Sequence, residues 1–433
     1  MLRRPERQDG YSMVELLVAV TVFALVFAAV SIGIGRALEM NRGNRSRSAG
    51  AYLAARQLEE VRSKPFDQVT LGRTTCVYSS PGPGCSVPSP YTVTQDVTWT
   101  APGNTTSSCN VPTGGGTLAY KRVTVTISWP DMGGVAPVSS QTLLTPPSGS
   151  YDPNQGHVLV QVYDRNAVPL AGQTVTLTGP QTASQPTTAE GCVFFAYLEP
   201  GDYTVSLNTT GYVDRQGGRP AIQTVAVQAG QISNLQFDYD RASTLSLTLA
   251  APSSSAIPAG LPLTVANSNL TVGTATFPES STGAGASRTV TPLFPYASGY
   301  EVWTGSCADA DPATHTGGNR RGPLASNPGA TTAGTATLDA VDVTVRRNST
   351  TGTRMSNAIV SGIHAAGTGC PSGLTLTPTA RTDSQGRLRL ALPYGTWTIS
   401  ATTTSGFPIR TGSASIVLDP VSTAVPTLTV VVL

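Results

Sequence analysis

The chain of 433 residues exceeds one ordinary domain, and its net charge of +2, with 12% charged residues, gives no electrostatic footprint for nucleic acid. Its 44 glycines and 33 prolines, beside abundant Thr, Ser and Val, are the composition of an exported β protein rather than of a cytosolic α/β enzyme. Only three histidines occur, His157, His315 and His364, far apart in sequence and read as surface residues, so His-based acid–base chemistry and most metal or cofactor sites have little material.

Residues 1–10, MLRRPERQDG, are polar and carry Arg3, Arg4 and Arg7. From Tyr11 to Gly35 the chain is apolar, with Glu15 as its single charge. A helix over 11–35 spans about 37 Å, enough to cross a bilayer. A secretory signal would have a shorter apolar core with a cleavage site behind it. Here the polar leader ends in Gly10, ahead of the apolar run. The basic leader is expected to stay cytoplasmic, at the inner membrane, with the remainder outside.

The stretch Gly10-Tyr11-Ser12-Met13-Val14-Glu15-Leu16-Leu17-Val18-Ala19-Val20 resembles the class III signal of type IV prepilins and pseudopilins. The resemblance implies a membrane prepilin peptidase that cuts Gly10–Tyr11 and methylates Tyr11. It also implies that Glu15, fifth in the mature chain, serves filament assembly with other pilin or pseudopilin subunits. Tyr11 departs from the family's commonest residue, phenylalanine. A carboxylate in hydrocarbon costs several kcal/mol unless compensated, and a neighbour's new α-amine beside Glu15 would compensate it.

The helix is expected to continue over 36–65, with Gly43 and Gly50 as weak points and Pro65 as its stop. Ala51, Ala54, Leu58 and Val61 share one stripe, as in the amphipathic half of a pilin helix that packs under a β head. Residues 66–148 read as that head. Tyr91, Val93, Val97 and Trp99 alternate along one strand, and Val123, Val125, Ile127 and Trp129 along another. Pro130 and Gly133-Gly134 read as a turn. The stretches around Cys76–Cys85 and Cys109 read as loops. The six cysteines, Cys76, Cys85, Cys109, Cys192, Cys307 and Cys370, form no CxxC and are candidate disulfide partners outside the cytoplasm, their spacing leaving the connectivity open. Cys307–Cys370 is the preferred long-range pair, because the other four lie in the first half.

Beyond residue 148 strand signals recur every eight to twelve residues, the spacing of β-sandwiches. Thr188-Ala-Glu-Gly191-Cys-Val-Phe194, followed by Leu198-Glu-Pro-Gly201-Asp-Tyr203-Thr-Val205, resembles the carboxypeptidase-regulatory-like, or transthyretin-like, module. Thr382-Asp-Ser-Gln-Gly386-Arg-Leu388, then Leu392-Pro-Tyr-Gly395-Thr-Trp397-Thr-Ile399, repeats it. Residues 149–240 and 339–433 are thus two copies, and 241–338 a divergent sandwich. Related repeats in Gram-positive surface proteins can carry Lys–Asn cross-links, but no lysine follows Lys121.

The fold class expected is mainly β: a long transmembrane and amphipathic helix with a pilin-like head, then tandem β-sandwich modules. No GxSxG, SxxK or HExxH occurs, so a non-enzymatic chain is expected. Asp309, Asp311 and His315 offer hard oxygens but no full calcium set, and the loop is read as solvated. Arg320-Arg321-Gly322-Pro323 reads as an exposed basic turn. The expected function is a minor pilin or pseudopilin-like subunit of a type IV pilus or type II secretion-like filament. The alternative is a solitary membrane-anchored adhesin or ligand-binding protein.

Overall fold

Met13–Arg62 forms one unbroken α-helix, α1, of 50 residues and about 75 Å. The computed structural model describes residues 13–78, 87–100, 109, 120–130, 132, 136–147, 152, 154–366, 370, 373–377, 380–404, 408–420 and 424–433. Gly10, Tyr11, Cys85 and the Gly133-Gly134 turn lie outside them. The chain divides into two compact units, 1–153 and 154–433.

In the first unit neither Gly43 nor Gly50 interrupts α1. The buried stripe is Gly50, Leu53, Ala54, Leu58 and Val61, whereas Ala51, expected on it, is exposed. The reason is Gly50: a Cβ there would lie 3.2 Å from the Trp129 ring, so the missing side chain makes room for the indole and rotates the docking face toward it. The stripe covers a four-stranded antiparallel meander of β1 (Gly72–Val77), β2 (Thr92–Thr100), β3 (Tyr120–Ser128) and β4 (Val138–Leu144). Val93, Val97, Val123, Val125 and Ile127 fill the space between helix and sheet. Cys76 belongs to β1, opposite Val93, and not to a loop as expected. The segment 72–77 is polar enough to read as loop, and pairing to β2 makes it a strand.

Past the helix end, Lys121 on β3 is buried and donates from Nζ to the carbonyls of Phe66 (2.6 Å) and Val69 (2.8 Å). Its ammonium also faces the Phe66 ring at 4.3 Å. Burial lowers its pKa from the ordinary lysine value. These bonds hold the turn that carries the chain from helix to sheet.

Among the described residues, 154–433 form three β-sandwiches. The first contains β5 (Gly156–Tyr163), β6 (Thr174–Thr178), β7 (Thr182–Pro186), β8 (Cys192–Leu198), β9 (Gly201–Leu207), β10 (Tyr212–Asp214), β11 (Ala221–Val227) and β12 (Ile232–Arg241). The second contains β13 (Ser243–Ala250), β14 (Leu263–Ala266), β15 (Thr274–Phe277), β16 (Ser287–Leu293), β17 (Tyr300–Thr304), β18 (Arg321–Leu324) and β19 (Thr331–Thr337). The third contains β20 (Asp339–Arg347), β21 (Ile359–His364), β22 (Leu374–Leu376), β23 (Arg387–Leu392), β24 (Gly395–Thr402), β25 (Thr411–Leu418) and β26 (Thr427–Val432).

All three share one topology. The first strand of each pairs in parallel with its last, as β5 with β12, β13 with β19 and β20 with β26, and antiparallel with its fourth. The facing sheets run β7-β6-β9-β11, β15-β14-β17-β18 and β22-β21-β24-β25. The middle segment is therefore a true structural repeat. The glycine turns have a local cause. Gly191 and Gly386, at φ +72° and +67°, close tight turns through amide bonds to the carbonyls of Thr188 (2.9 Å) and Asp383 (3.0 Å), in the left-handed region that favours glycine.

Each sandwich also holds a buried aromatic on its fifth strand that bonds back to the preceding corner. Tyr203 donates to the Glu199 carbonyl (3.0 Å), Tyr300 to that of Phe294 (2.8 Å), and Trp397 to that of Pro393 (2.9 Å). The ring fills the core while its polar tip satisfies a corner carbonyl. Desolvation raises the phenol pKa of Tyr203 and Tyr300.

Candidate assembly site

Of the site residues expected from sequence, Glu15 lies in the first turn of α1, and its side chain is exposed. The helix around it is apolar and uncovered: Leu16, Leu17, Phe23, Leu25 and Phe27 are each more than 60% exposed. A window of this helix reaches a mean hydropathy of 2.7, long and apolar enough to cross a membrane. Its hydroxyls are satisfied within the helix. Thr21 Oγ1 donates to the carbonyls of Leu17 (3.0 Å) and Val18 (2.8 Å), and Ser31 Oγ to that of Phe27 (2.8 Å). Such back-bonding lets a hydroxyl sit in hydrocarbon at little cost. Glu15 has no such outlet. Among the described residues no group bonds its carboxylate. An exposed carboxylate in this apolar stretch can accept a cation from outside the described residues.

Cys307 and Cys370 form a disulfide that joins the second and third sandwiches across a separation of 63 residues. Cys76, Cys109 and Cys192 are also disulfide-bonded.

The segment around Cys307 departs from the solvated loop expected. Asp309 Oδ2 meets His364 Nε2 at 2.8 Å and accepts from the Thr396 amide at 3.3 Å. His315 Nε2 lies 2.6 Å from the Asp309 carbonyl. Asp311 is buried, bonded through both carboxylate oxygens to Arg320 at 2.9 and 2.6 Å. Arg320 also reaches Glu301 at 2.9 Å and lies over the Trp303 ring at 4.8 Å. The Asp311 hydrogen bonds, with those of Glu301, raise its pKa further above the ordinary arginine value. The acids expected to face water are thus engaged by the side chains of His364 and Arg320. Arg321-Gly322-Pro323 lies in β18 and not in a free turn.

Two of the three histidines, expected at the surface, are buried. His157 is 1% exposed; its Nδ1 accepts from the Tyr197 amide, and its ring stacks on Phe194. His364 is 5% exposed, edge-on to Trp397. Single-residue polarity could not reveal this, because each ring is buried by partners from distant strands.

The description of the prokaryotic N-terminal methylation motif matches residues 6–31. The chain therefore carries a methylation motif of the prepilin type at the head of a long apolar helix, ahead of a β-sandwich ectodomain. No curated protein matches the chain. Among solved structures it is similar to the Bacillus anthracis TIE protein, at 12% identity over 79% of this chain and 67% of that one, with a TM-score of 0.20. It is also similar to BcpA, the major pilin subunit of Bacillus cereus, at 11% identity over 64% and 99%, with a TM-score of 0.19. The major pilin SpaD of Corynebacterium diphtheriae stands at 10% identity over 65% and 98%, with a TM-score of 0.20. Scores this low carry no argument about function.

Proposed function

We propose that the chain is a non-enzymatic subunit of a type IV pilus or type II secretion-like pseudopilus. The observation that carries this reading is the methylation motif at 6–31, which leads into an uncovered apolar helix with one carboxylate, Glu15. A prepilin peptidase removes residues 1–10 and methylates Tyr11. Glu15 then lies four residues along the chain from the new α-amine. The amine of one subunit and Glu15 of its neighbour compensate each other in the low-dielectric core of the filament. The ectodomain stays extracytoplasmic. Its sandwiches, of carboxypeptidase-regulatory-like type, serve interaction rather than catalysis. Their bulk would crowd a packed shaft, which favours a minor subunit at a tip. With no lysine after Lys121, shear resistance comes from packing and the Cys307–Cys370 link.

A second reading, a solitary membrane-anchored adhesin, is favoured by the extent of the ectodomain unit, residues 154–433. Loss of surface display when the assembly motor is deleted supports the filament subunit; display unchanged by that deletion supports the adhesin. Intact-mass analysis of membrane-extracted protein tests processing. The expected mass lacks residues 1–10, and Gly10→Val retains them, because a β-branched side chain cannot enter where the peptidase takes glycine. An unprocessed wild-type chain beside an active prepilin peptidase would contradict the reading.

A further inference from the structure

Between the apolar span and the part of α1 that docks on the sheet lies a stretch, 36–45, whose charged side chains are all exposed. The first hydrogen bond from the head to the helix beyond it is that of Tyr91 to the Ser46 carbonyl. Residues 36–47 hold Arg36, Arg42, Arg45 and Arg47, with Glu39 as the only acid. All four arginines are exposed, and among the described residues none is in an ion pair.

Their placement around the helix is specific. At 100° per residue, Arg36 and Arg47 share one face, three turns apart, while Arg42 and Arg45 share the opposite face. The four occupy about 16 Å of helix starting where the hydrocarbon segment ends. A protein partner meets one face of a helix; a bilayer surface surrounds it. Guanidinium groups bind phosphate oxygens through paired hydrogen bonds, and their long stems let them reach toward the headgroup layer from either side.

We infer that Arg36, Arg42, Arg45 and Arg47 form a collar that binds the anionic headgroups of phospholipids around the helix. The collar fixes the depth of the subunit in the membrane and is independent of the filament reading. It also bears on orientation. Four collar arginines face three in the leader, Arg3, Arg4 and Arg7, so local arginine count alone does not place the leader in the cytoplasm.

The test uses the full chain in detergent, with native mass spectrometry of bound lipid. Phosphatidylglycerol is titrated against phosphatidylcholine with the same acyl chains. The wild type is expected to prefer phosphatidylglycerol, each Arg→Gln change in the collar lowering that preference about fivefold. The variant R36Q/R42Q/R45Q/R47Q loses the preference, while R3Q/R4Q/R7Q keeps it. Glutamine is a good helix former at exposed positions, and unchanged near-ultraviolet circular dichroism verifies the fold. Equal binding of both lipids by the wild type, or a preference that survives in the collar variant, would overturn the inference. So would equally tight binding of soluble glycerol phosphate, which would assign the arginines to free phosphate, or binding of an acidic protein at the collar to the exclusion of lipid.

Discussion

Trp397 has no exposed surface and fills the third sandwich, while its indole nitrogen holds the Pro393 carbonyl. Truncation to alanine is expected to cost about 3–5 kcal/mol, the range for large aromatic side chains removed from a core. Tyr203→Phe keeps the ring and removes only the bond to Glu199, so its cost is expected near 1 kcal/mol. Denaturant unfolding of the two variants checks the ordering; equal losses would show that the corner bond, and not the ring, dominates. A second residue-level expectation concerns Asp342 on β20 and Arg389 on β23, cross-strand neighbours bonded at 2.7 and 2.8 Å. The Arg389 hydrogen bonds hold the Asp342 carboxyl below its ordinary value of 3.8. The sign follows: the contribution is complete above that ordinary value and is lost as pH falls through the depressed folded-state value. Arg389→Gln should therefore flatten this part of the acid limb in thermal melts across pH 2–5; an unchanged limb would show that the pair contributes nothing, as exposed pairs can.

At the level of elements, α1 contains two glycines with opposite surroundings. Nothing lies within 4 Å of a Cβ at Gly43, so Gly43→Ala should stabilise the helix by about 0.5–1 kcal/mol. At Gly50 the Trp129 ring, Val138 and Ile127 crowd the position, and Gly50→Leu should release α1 from the sheet. Amide hydrogen exchange over 46–62 in detergent reads both, slowed or unchanged in the first and accelerated in the second. Protection retained in Gly50→Leu would contradict the docking geometry. The long helix and the alternating strands were legible in the sequence because each rests on local periodicity. The exact docking stripe was not, since it depends on Trp129, far along the chain. The first and third sandwiches announced themselves through a glycine turn followed by Gly-x-aromatic, as in Gly201-Asp-Tyr203 and Gly395-Thr-Trp397. The second has Gly299-Tyr300 without the spacer, and short strands β14 and β15, so its pattern faded although its topology is the same. Likewise the Asp309–His364 pair joins residues 55 apart, which no local motif reports.

At the scale of the whole ectodomain unit, the sandwiches are tightly coupled. Ala242 alone links β12 to β13, and Leu338 alone links β19 to β20. Arg165 donates to the carbonyls of Pro295 (3.2 Å) and Ser326 (2.6 Å), and Tyr296 to that of Arg215 (2.7 Å), tying the first sandwich to the second. The second and third share one hydrophobic cluster, which includes Leu245, Val302, Val343 and Trp397, and the Cys307–Cys370 bond. Closing a loop of that length restricts the unfolded chain by about 4 kcal/mol. The double variant Cys307→Ser/Cys370→Ser is expected to lower the melting temperature of both sandwiches together, because they share a core. Two separated transitions by calorimetry would show instead that the disulfide alone couples them.

The central claim is that Glu15 compensates a neighbouring subunit's N-terminus within a filament. The most direct measurement is recovery of wild type and Glu15→Ala in sheared filaments, with cleavage and membrane retention followed alongside. Removing an intramembrane charge relieves an insertion cost of about 2.5–3.5 kcal/mol, so Glu15→Ala should be processed and retained in the membrane at least as well as wild type. Its recovery in filaments should fall sharply, because the partner amine loses its counter-charge. Equal recovery of both proteins in filaments would contradict the account.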